Sequence, residues 1–137
     1  MTAELEELMA VWLNLRVHVD RLASEHQQYR DFFDQASEAY LVTDEYGTIE
    51  QANGAAVDIL QYRKAWLRGK PLVALVALEQ RNEFRRRLYA LREPHAERSW
   101  RTIFVAPGQR TDVALSARLI ERRAGNGGIC WRLEALG

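Results

Sequence analysis

The sequence contains few of the residues on which metal, redox and disulfide chemistry depend. It has one cysteine, three histidines and three prolines among 137 residues. Cys130 has no intramolecular partner for a disulfide, and a single thiol is typical of a reducing compartment. His18, His26 and His95 are far apart, and none has a cysteine or histidine at metal-ligand spacing. These absences argue against a disulfide scaffold and against a metal site.

Long apolar segments and common catalytic motifs are also absent from the sequence. The longest wholly apolar run covers residues 72–78, whereas a helix needs about 20 residues to span a bilayer. Acidic residues rather than basic ones follow Met1, so no secretory signal is indicated. There is no phosphate-binding glycine-rich loop, no HExxH motif and no nucleophile elbow. We therefore expect a cytoplasmic protein that is not an enzyme and has no contact with a membrane.

Neither charge sign is in excess, but the two signs are unevenly distributed. Residues 1–60 contain 3 basic and 12 acidic residues, whereas residues 61–137 contain 16 basic and 7 acidic residues. One interpretation is a basic surface for nucleic acid, but no DNA-binding motif accompanies the arginines. We favour an acidic N-terminal helix that faces the basic remainder of its own or a partner subunit. A group of arginines on one predicted helix is expected to form a solvated face: Arg81, Arg85, Arg86, Arg87 and Arg92.

The N-terminal region is predicted to form one amphipathic helix over residues 3–36. Its apolar residues alternate in spacing between three and four, which is typical of a coiled-coil seam. The predicted dimer interface consists of Leu5, Leu8, Trp12, Leu15, Val19 and Leu22, and Tyr29 and Phe33 continue the apolar series beyond it. His26 fills one seam position, where we favour a tolerated polar residue near the solvated end of the seam over a pH-sensitive register device. Either a second copy of the helix or the outer face of a sheet must cover this stripe, and we expect a homodimer in both cases.

Residues 40–72 have the pattern of a hairpin followed by short helices. Strand-forming residues flank a tight turn at 44–47, where Gly47 can take a positive φ and Asp44 can accept hydrogen bonds from the turn. Asn53 stands directly before the helix-forming residues 55–60, so it is expected to cap that helix.

The second half of the chain is predicted to form one helix and three antiparallel strands. The helix covers residues 80–91 and ends before Pro94. The strands are expected at about 98–106, 111–122 and 128–135, with turns at 107–108 and 125–128. Because the first of these strands is apolar on both faces, we expect the sheet to be covered on both sides.

The order of these features resembles the PAS domain family. The matching residues are Asp44, Gly47, Ile49, Asn53, Ala55, Ala56, Leu60 and the segment Gly69-Lys70-Pro71-Leu72. Gln61 departs from the family, which often has a glycine there. The resemblance implies an α+β fold over residues 37–137, with a five-stranded antiparallel sheet and short helices on one of its faces. It also implies that the preceding helix, residues 1–36, serves dimerisation.

The resemblance further implies that a ligand would bind between the sheet and the short helices. Candidate pocket residues are Leu75, Phe84, Leu88, Ile103 and Leu115, and we favour the alternative that they close a dry core. No flavin cysteine is present, because Asn53 is followed by Gly54. Haem-binding relatives use a histidine on or after the long helix, which leaves His95 as the candidate. Cys130 is expected to be a small buried hydrophobe rather than a redox sensor.

Two functions therefore remain open. In the first, the chain is a signalling module that dimerises and transmits a signal to a partner protein. In the second, it is a sensor of a small molecule or of a cofactor such as haem or flavin. No cofactor is evident, but an unknown non-covalent ligand remains an alternative. Since the chain ends at Gly137, just after the last predicted strand, the output is expected from a partner or from a domain missing here.

Overall fold

The computed structural model describes residues 5–9, 31–121 and 127–136. Residues 5–9 and 31–35, near the two ends of the predicted N-terminal helix, are helical. The rest of that prediction lies outside the described residues, as do the seam positions Trp12, Leu15, Val19 and Leu22 and the histidines His18 and His26. Within the described ranges, no helix is long and apolar enough to cross a membrane.

The region from Ala39 onward consists of two strands, then a series of short helices, and then three further strands. Its elements are β1 (Ala39–Asp44), β2 (Ile49–Ala52), α1 (Gly54–Leu60), α2 (Lys64–Leu67), two 3₁₀ turns (Leu72–Leu75 and Leu78–Gln80), α3 (Arg81–Ala90), β3 (Ser99–Ala106), β4 (Gln109–Glu121) and β5 (Gly127–Ala135). The five strands form one antiparallel sheet in the order β2-β1-β5-β4-β3. The predicted five-stranded sheet with short helices is thereby confirmed.

The predicted hairpin between β1 and β2 is also confirmed. Asp44 Oδ1 accepts hydrogen bonds from the backbone N–H groups of Tyr46 and Thr48, each at 2.9 Å. Gly47 has φ = +86°, and a Cβ atom there would lie 3.0 Å from a methyl carbon of Leu88. The backbone conformation favours glycine at this position, and a larger residue would also have to displace the Leu88 methyl group by a few tenths of an ångström.

Asn53 joins three parts of the chain. Its Oδ1 accepts from the N–H groups of Ala56 in α1 and of Tyr40 in β1, both at 3.0 Å, and its Nδ2 donates to the carbonyl of Glu38 at 2.8 Å. The side chain is fully buried. The predicted cap of α1 is therefore present, and it also fastens the helix to the sheet.

The segment between α2 and α3 covers both edges of the sheet. Beside β2, Ile49 accepts from the N–H of Gly69 and donates to the carbonyl of Lys70. Beside β3, Ile103 accepts from the N–H of Ala77 at 2.8 Å, and its own N–H donates to Gln80 Oε1 at 2.7 Å. Because unpaired strand edges recruit other chains, these contacts protect the sheet at both ends.

Candidate functional site: the two faces of the sheet

The inner face of the sheet, which packs on the helices, is filled by aromatic side chains. Trp131 from the central strand β5 is completely buried, and Phe84 from α3 stacks on it with ring centroids 5.9 Å apart. Trp100 from β3 meets Trp131 edge-on at 5.7 Å and Phe84 at 6.0 Å. The three rings occupy the middle of the region where the family resemblance places a ligand.

The two tryptophans of this group differ in their hydrogen bonding. Trp131 Nε1 donates to Thr43 Oγ1 at 2.9 Å, so its polar atom is satisfied. Trp100 Nε1 is buried and has no hydrogen-bond partner in the described part of the chain. A buried donor left unpaired costs about 1–3 kcal/mol. The Trp100 ring is also covered by the guanidinium of Arg87, whose carbon lies 5.6 Å from the ring centroid. Trp100 thus has an unused buried donor within this group of aromatic rings.

Four of the five predicted pocket residues belong to this inner core. Leu75, Phe84 and Leu115 are fully buried there, and Leu88 packs against them with part of its surface exposed. Ile103 is half-buried and lies on the other face of β3, because the residues on either side of it, Thr102 and Phe104, point into the core. The structure therefore brings the other four together without Ile103.

A surface cleft of about 460 Å³ borders this core, where residues 37–39, α1 and the end of β5 meet. Its polar lining includes the carboxylates of Glu38, Asp58 and Glu134 and the guanidinium of Arg132. The cleft adjoins the Asn53 junction, since the backbone carbonyl of Glu38 accepts from Asn53.

The outer face of the sheet carries a second apolar cluster. Tyr40 and Val42 of β1, Ile120 of β4 and Cys130 of β5 form its floor. The helical residues Met9 and Phe33 cover that floor, and each is only 2% exposed. The described ends of the N-terminal region therefore pack on the sheet, as one of the two predicted arrangements requires.

Charged side chains border this outer cluster. Glu6 lies 3.5 Å from Arg118 of β4, and Asp34 lies 2.9 Å from Lys64 of α2. Both pairs join an acid of the N-terminal half to a base of the C-terminal half. This is the charge arrangement expected from the uneven distribution along the sequence.

Two ionisable side chains are buried beneath the N-terminal helical residues. Burial raises the pKa of Tyr40, and the hydrogen bond from its hydroxyl to Glu38 Oε2 at 2.7 Å raises it further. Burial also raises the pKa of the Cys130 thiol to about 12, with a smaller contribution from Glu6. A protonated buried thiol is a poor nucleophile, so Cys130 behaves as the small hydrophobe that was predicted.

The remaining predicted site residues are more scattered. Leu5 is half-buried against the outer cluster, whereas Leu8 is 41% exposed on the same helical turn. His95 is exposed on the turn that follows α3, outside the core between sheet and helices. The haem candidate His95 therefore does not line this core.

Sequence reasoning missed several residues that build the two faces. Trp131 was not singled out, although it alternates with Ile129 and Leu133 and so shares their face of β5. Met9 was passed over as well, although it lies one helical turn after Leu5. In both cases the residue spacing along the strand or helix already indicated which face the side chain shares.

Comparisons with known proteins agree with this architecture. The family model described as PAS domain matches residues 27–101. The structure of the PAS domain of an HTR-like protein from Haloarcula marismortui is similar, with a TM-score of 0.70, 14% identity and coverage of 88% of this chain and 99% of that one. No curated protein matches the chain.

Several of the similar structures were solved with bound molecules, among them the following two. One is the PAS domain of a LuxR-family transcriptional regulator from Burkholderia thailandensis in complex with ethanol, with a TM-score of 0.65, 20% identity and coverage of 79% of this chain and 96% of that one. The other is the PAS domain of the quorum-sensing receptor RpfR from Cronobacter turicensis in complex with BDSF, with a TM-score of 0.63, 10% identity and coverage of 75% and 97%.

Proposed function

The chain belongs to the PAS domain family of sensory signalling modules, and on that premise we propose that it works as a homodimer that passes a signal to a partner protein. PAS domains are generally not catalytic, and the proposed role requires no reaction at this chain. The single cysteine favours a cytoplasmic location for it.

The observation that carries the proposal is the pair of apolar surfaces on the N-terminal helical residues. Met9 and Phe33 are buried against the sheet, yet their neighbours Leu8 and Phe32 are 41% and 47% exposed. A helix that only covers the sheet has no need of apolar residues on its solvent side. A second copy, with its own exposed leucine and phenylalanine, is a partner of matching chemistry. The seam residues Leu15 and Leu22 extend the same apolar pattern along the sequence.

Sedimentation velocity at tens of micromolar protein tests the dimer. The double substitution Leu8→Glu with Phe32→Glu should produce monomers without lowering the melting temperature, because both side chains are exposed within the described subunit. Leu15→Glu with Leu22→Glu should also weaken association, since each places a charge in the apolar seam. Asn14→Glu with Gln28→Glu adds the same charge outside the seam and should leave the dimer intact. A monomeric wild type would overturn the proposal.

A second candidate function is the sensing of a small polar molecule, which the unpaired N–H of Trp100 favours. A ligand with one acceptor oxygen and a short apolar part would satisfy this donor among Phe84, Leu88 and Trp131. Ethanol, which the Burkholderia domain binds, has this chemistry. Native mass spectrometry and absorbance spectra of the purified protein would reveal a resident ligand. Titration with ethanol, followed by tryptophan fluorescence in the wild type and in Trp100→Phe, would test the donor. A response of the same size in both proteins would reject it.

A further inference from the structure

The five arginines on and just after α3 do not form one uniform solvated face. Arg81 donates to the backbone carbonyls of Val76 and Ala74 at 2.9 and 3.0 Å, so it anchors the turn before the helix. Arg86 and Arg87 both pair with Glu83. Arg87 also pairs with Glu97 at 3.0 Å, and these contacts raise its pKa. Three of the five arginines therefore have intramolecular roles.

The other two, Arg85 and Arg92, have no ion pair or side-chain hydrogen bond within the described part of the chain. Both are exposed, and they flank Tyr89 at spacings of four and three residues, which places all three on one side of α3. The Arg92 guanidinium carbon lies 4.9 Å from the ring centroid of Tyr89 and 5.8 Å from that of Tyr46. Tyr46 comes from the hairpin turn between β1 and β2, so a second element contributes to the same surface.

This surface has the chemistry of a recognition site rather than of a solvated face. Tyr46 and Tyr89 are 68% and 69% exposed, which is unusual for two neighbouring aromatic rings unless a partner covers them. Stacking on the rings restrains the Arg92 guanidinium and leaves its N–H edges available for a carboxylate. Tyrosine and arginine are also the residues that most often dominate binding energy at interfaces. We propose that Tyr46, Arg85, Tyr89 and Arg92 form a docking surface for an acidic segment of a different protein.

The position of the surface argues against a second copy of this chain as the occupant. Most acidic residues of the chain precede residue 61, and the described helical part of that half packs on the outer face of the sheet. The docking surface is built on α3, on the opposite side of the sheet. It would therefore stay exposed on both subunits of a dimer joined through the outer face. Only this statement, that the surface stays exposed in the dimer, rests on the proposed function.

Fluorescence anisotropy with a synthetic peptide tests the docking surface. The probe is a fluorescein-labelled peptide in which glutamates alternate with leucine and tyrosine, and the control peptide has glutamine at every glutamate position. Arg85→Ala with Arg92→Ala should weaken binding of the acidic peptide by about tenfold or more, as expected when hot-spot residues are truncated. Tyr46→Ala with Tyr89→Ala should weaken it comparably.

Arg86→Ala is the matched control, because it removes one exposed arginine of the same helix that already has a partner in Glu83. It should change the affinity by less than about twofold, the range expected for an exposed charge outside the contact. Equal losses in Arg86→Ala and in Arg92→Ala alone would reduce the interaction to general charge attraction and overturn the proposal. Failure of the wild type to bind the acidic peptide, or equal binding of the glutamine peptide, would overturn it too.

Sedimentation of the same variants separates this inference from the proposed dimer. Loss of dimers in Arg85→Ala with Arg92→Ala would assign the surface to self-association and refute the docking role. If the wild type sediments as a monomer but still binds the acidic peptide through these residues, the dimer fails and the docking surface stands.

Discussion

Replacing Asn53 by alanine should be among the most damaging single substitutions in this domain. The substitution removes three hydrogen bonds at once and leaves the N–H groups of Tyr40 and Ala56 and the carbonyl of Glu38 without their partner. Loss of a helix cap costs about 1 kcal/mol. Leaving the buried Tyr40 N–H unpaired adds about 1–3 kcal/mol.

The third hydrogen bond should contribute less, because the Glu38 backbone adjoins an open cleft where water can replace the amide. The expected loss of unfolding free energy is therefore about 2–4 kcal/mol, a large part of the 5–15 kcal/mol that is usual for a domain. Urea titration followed by tryptophan fluorescence measures this loss of unfolding free energy. The urea dependence of the free energy should not change if the folded state keeps its compactness.

Asp44→Ala provides the control for burial. Asp44 Oδ1 also accepts two backbone hydrogen bonds, but the bond from Tyr46 is exposed and the one from Thr48 is only partly buried, so water can reach both donors. The unfolding free energy of Asp44→Ala should therefore be lower than that of the wild type by about 1 kcal/mol or less. The reasoning would be refuted if Asn53→Ala cost no more than Asp44→Ala, because burial of the three groups would then have no energetic effect.

Two further predictions concern backbone strain and buried ionisation. Gln61 ends α1 in the left-handed conformation at φ = 63°, so Gln61→Gly should stabilise the domain by about 0.5–1 kcal/mol in urea titrations; Gln61→Ala, which keeps the strain, should not. Since the Cys130 pKa rises from 9.0 to about 12 on folding, its contribution to stability is complete below pH 9 and is lost as the pH rises toward 12. Above pH 9, the unfolding free energy of the wild type should fall more steeply than that of Cys130→Ala, by about 1 kcal/mol per pH unit. If the two proteins lose stability equally with pH, the raised pKa of the buried thiol is contradicted.

Much of the fold was predictable because its signals are local. Gly47 takes the positive φ that the turn needs, and Asn53 caps α1, each for a reason contained in a few neighbouring residues. The three C-terminal strands lie within two residues of their predicted bounds, since alternation and turn residues mark strand ends. Even the mismatch at Gln61 was visible in the sequence as a residue where glycine is usual. The structure shows that it adopts the glycine-like conformation nevertheless.

The candidate site was less predictable, because its members are distant in sequence. In β3, apolar residues occupy both odd-numbered and even-numbered positions. The local pattern therefore could not decide whether Ile103 or Thr102 faces the core. The arginines near α3 look equivalent in sequence, and only their neighbours Glu83, Glu97 and Tyr46 distinguish paired from unpaired ones. The hydrogen bond that Trp131 has and Trp100 lacks depends likewise on Thr43, far away along the chain.

The sequence by itself determined the family, the order of strands and helices along the chain and the acidic character of the N-terminal half. The family follows from the resemblance of residues 44–72 to its pattern, the order of elements from short-range propensities and spacings, and the acidic character from composition. Only the tertiary structure decided which side of each strand is buried, that Met9 and Phe33 cover the outer face, and that Arg85 and Arg92 remain unpaired beside two tyrosines. Burial and partner choice are set by packing between elements: a local pattern shows which residues share a face, but not what covers that face.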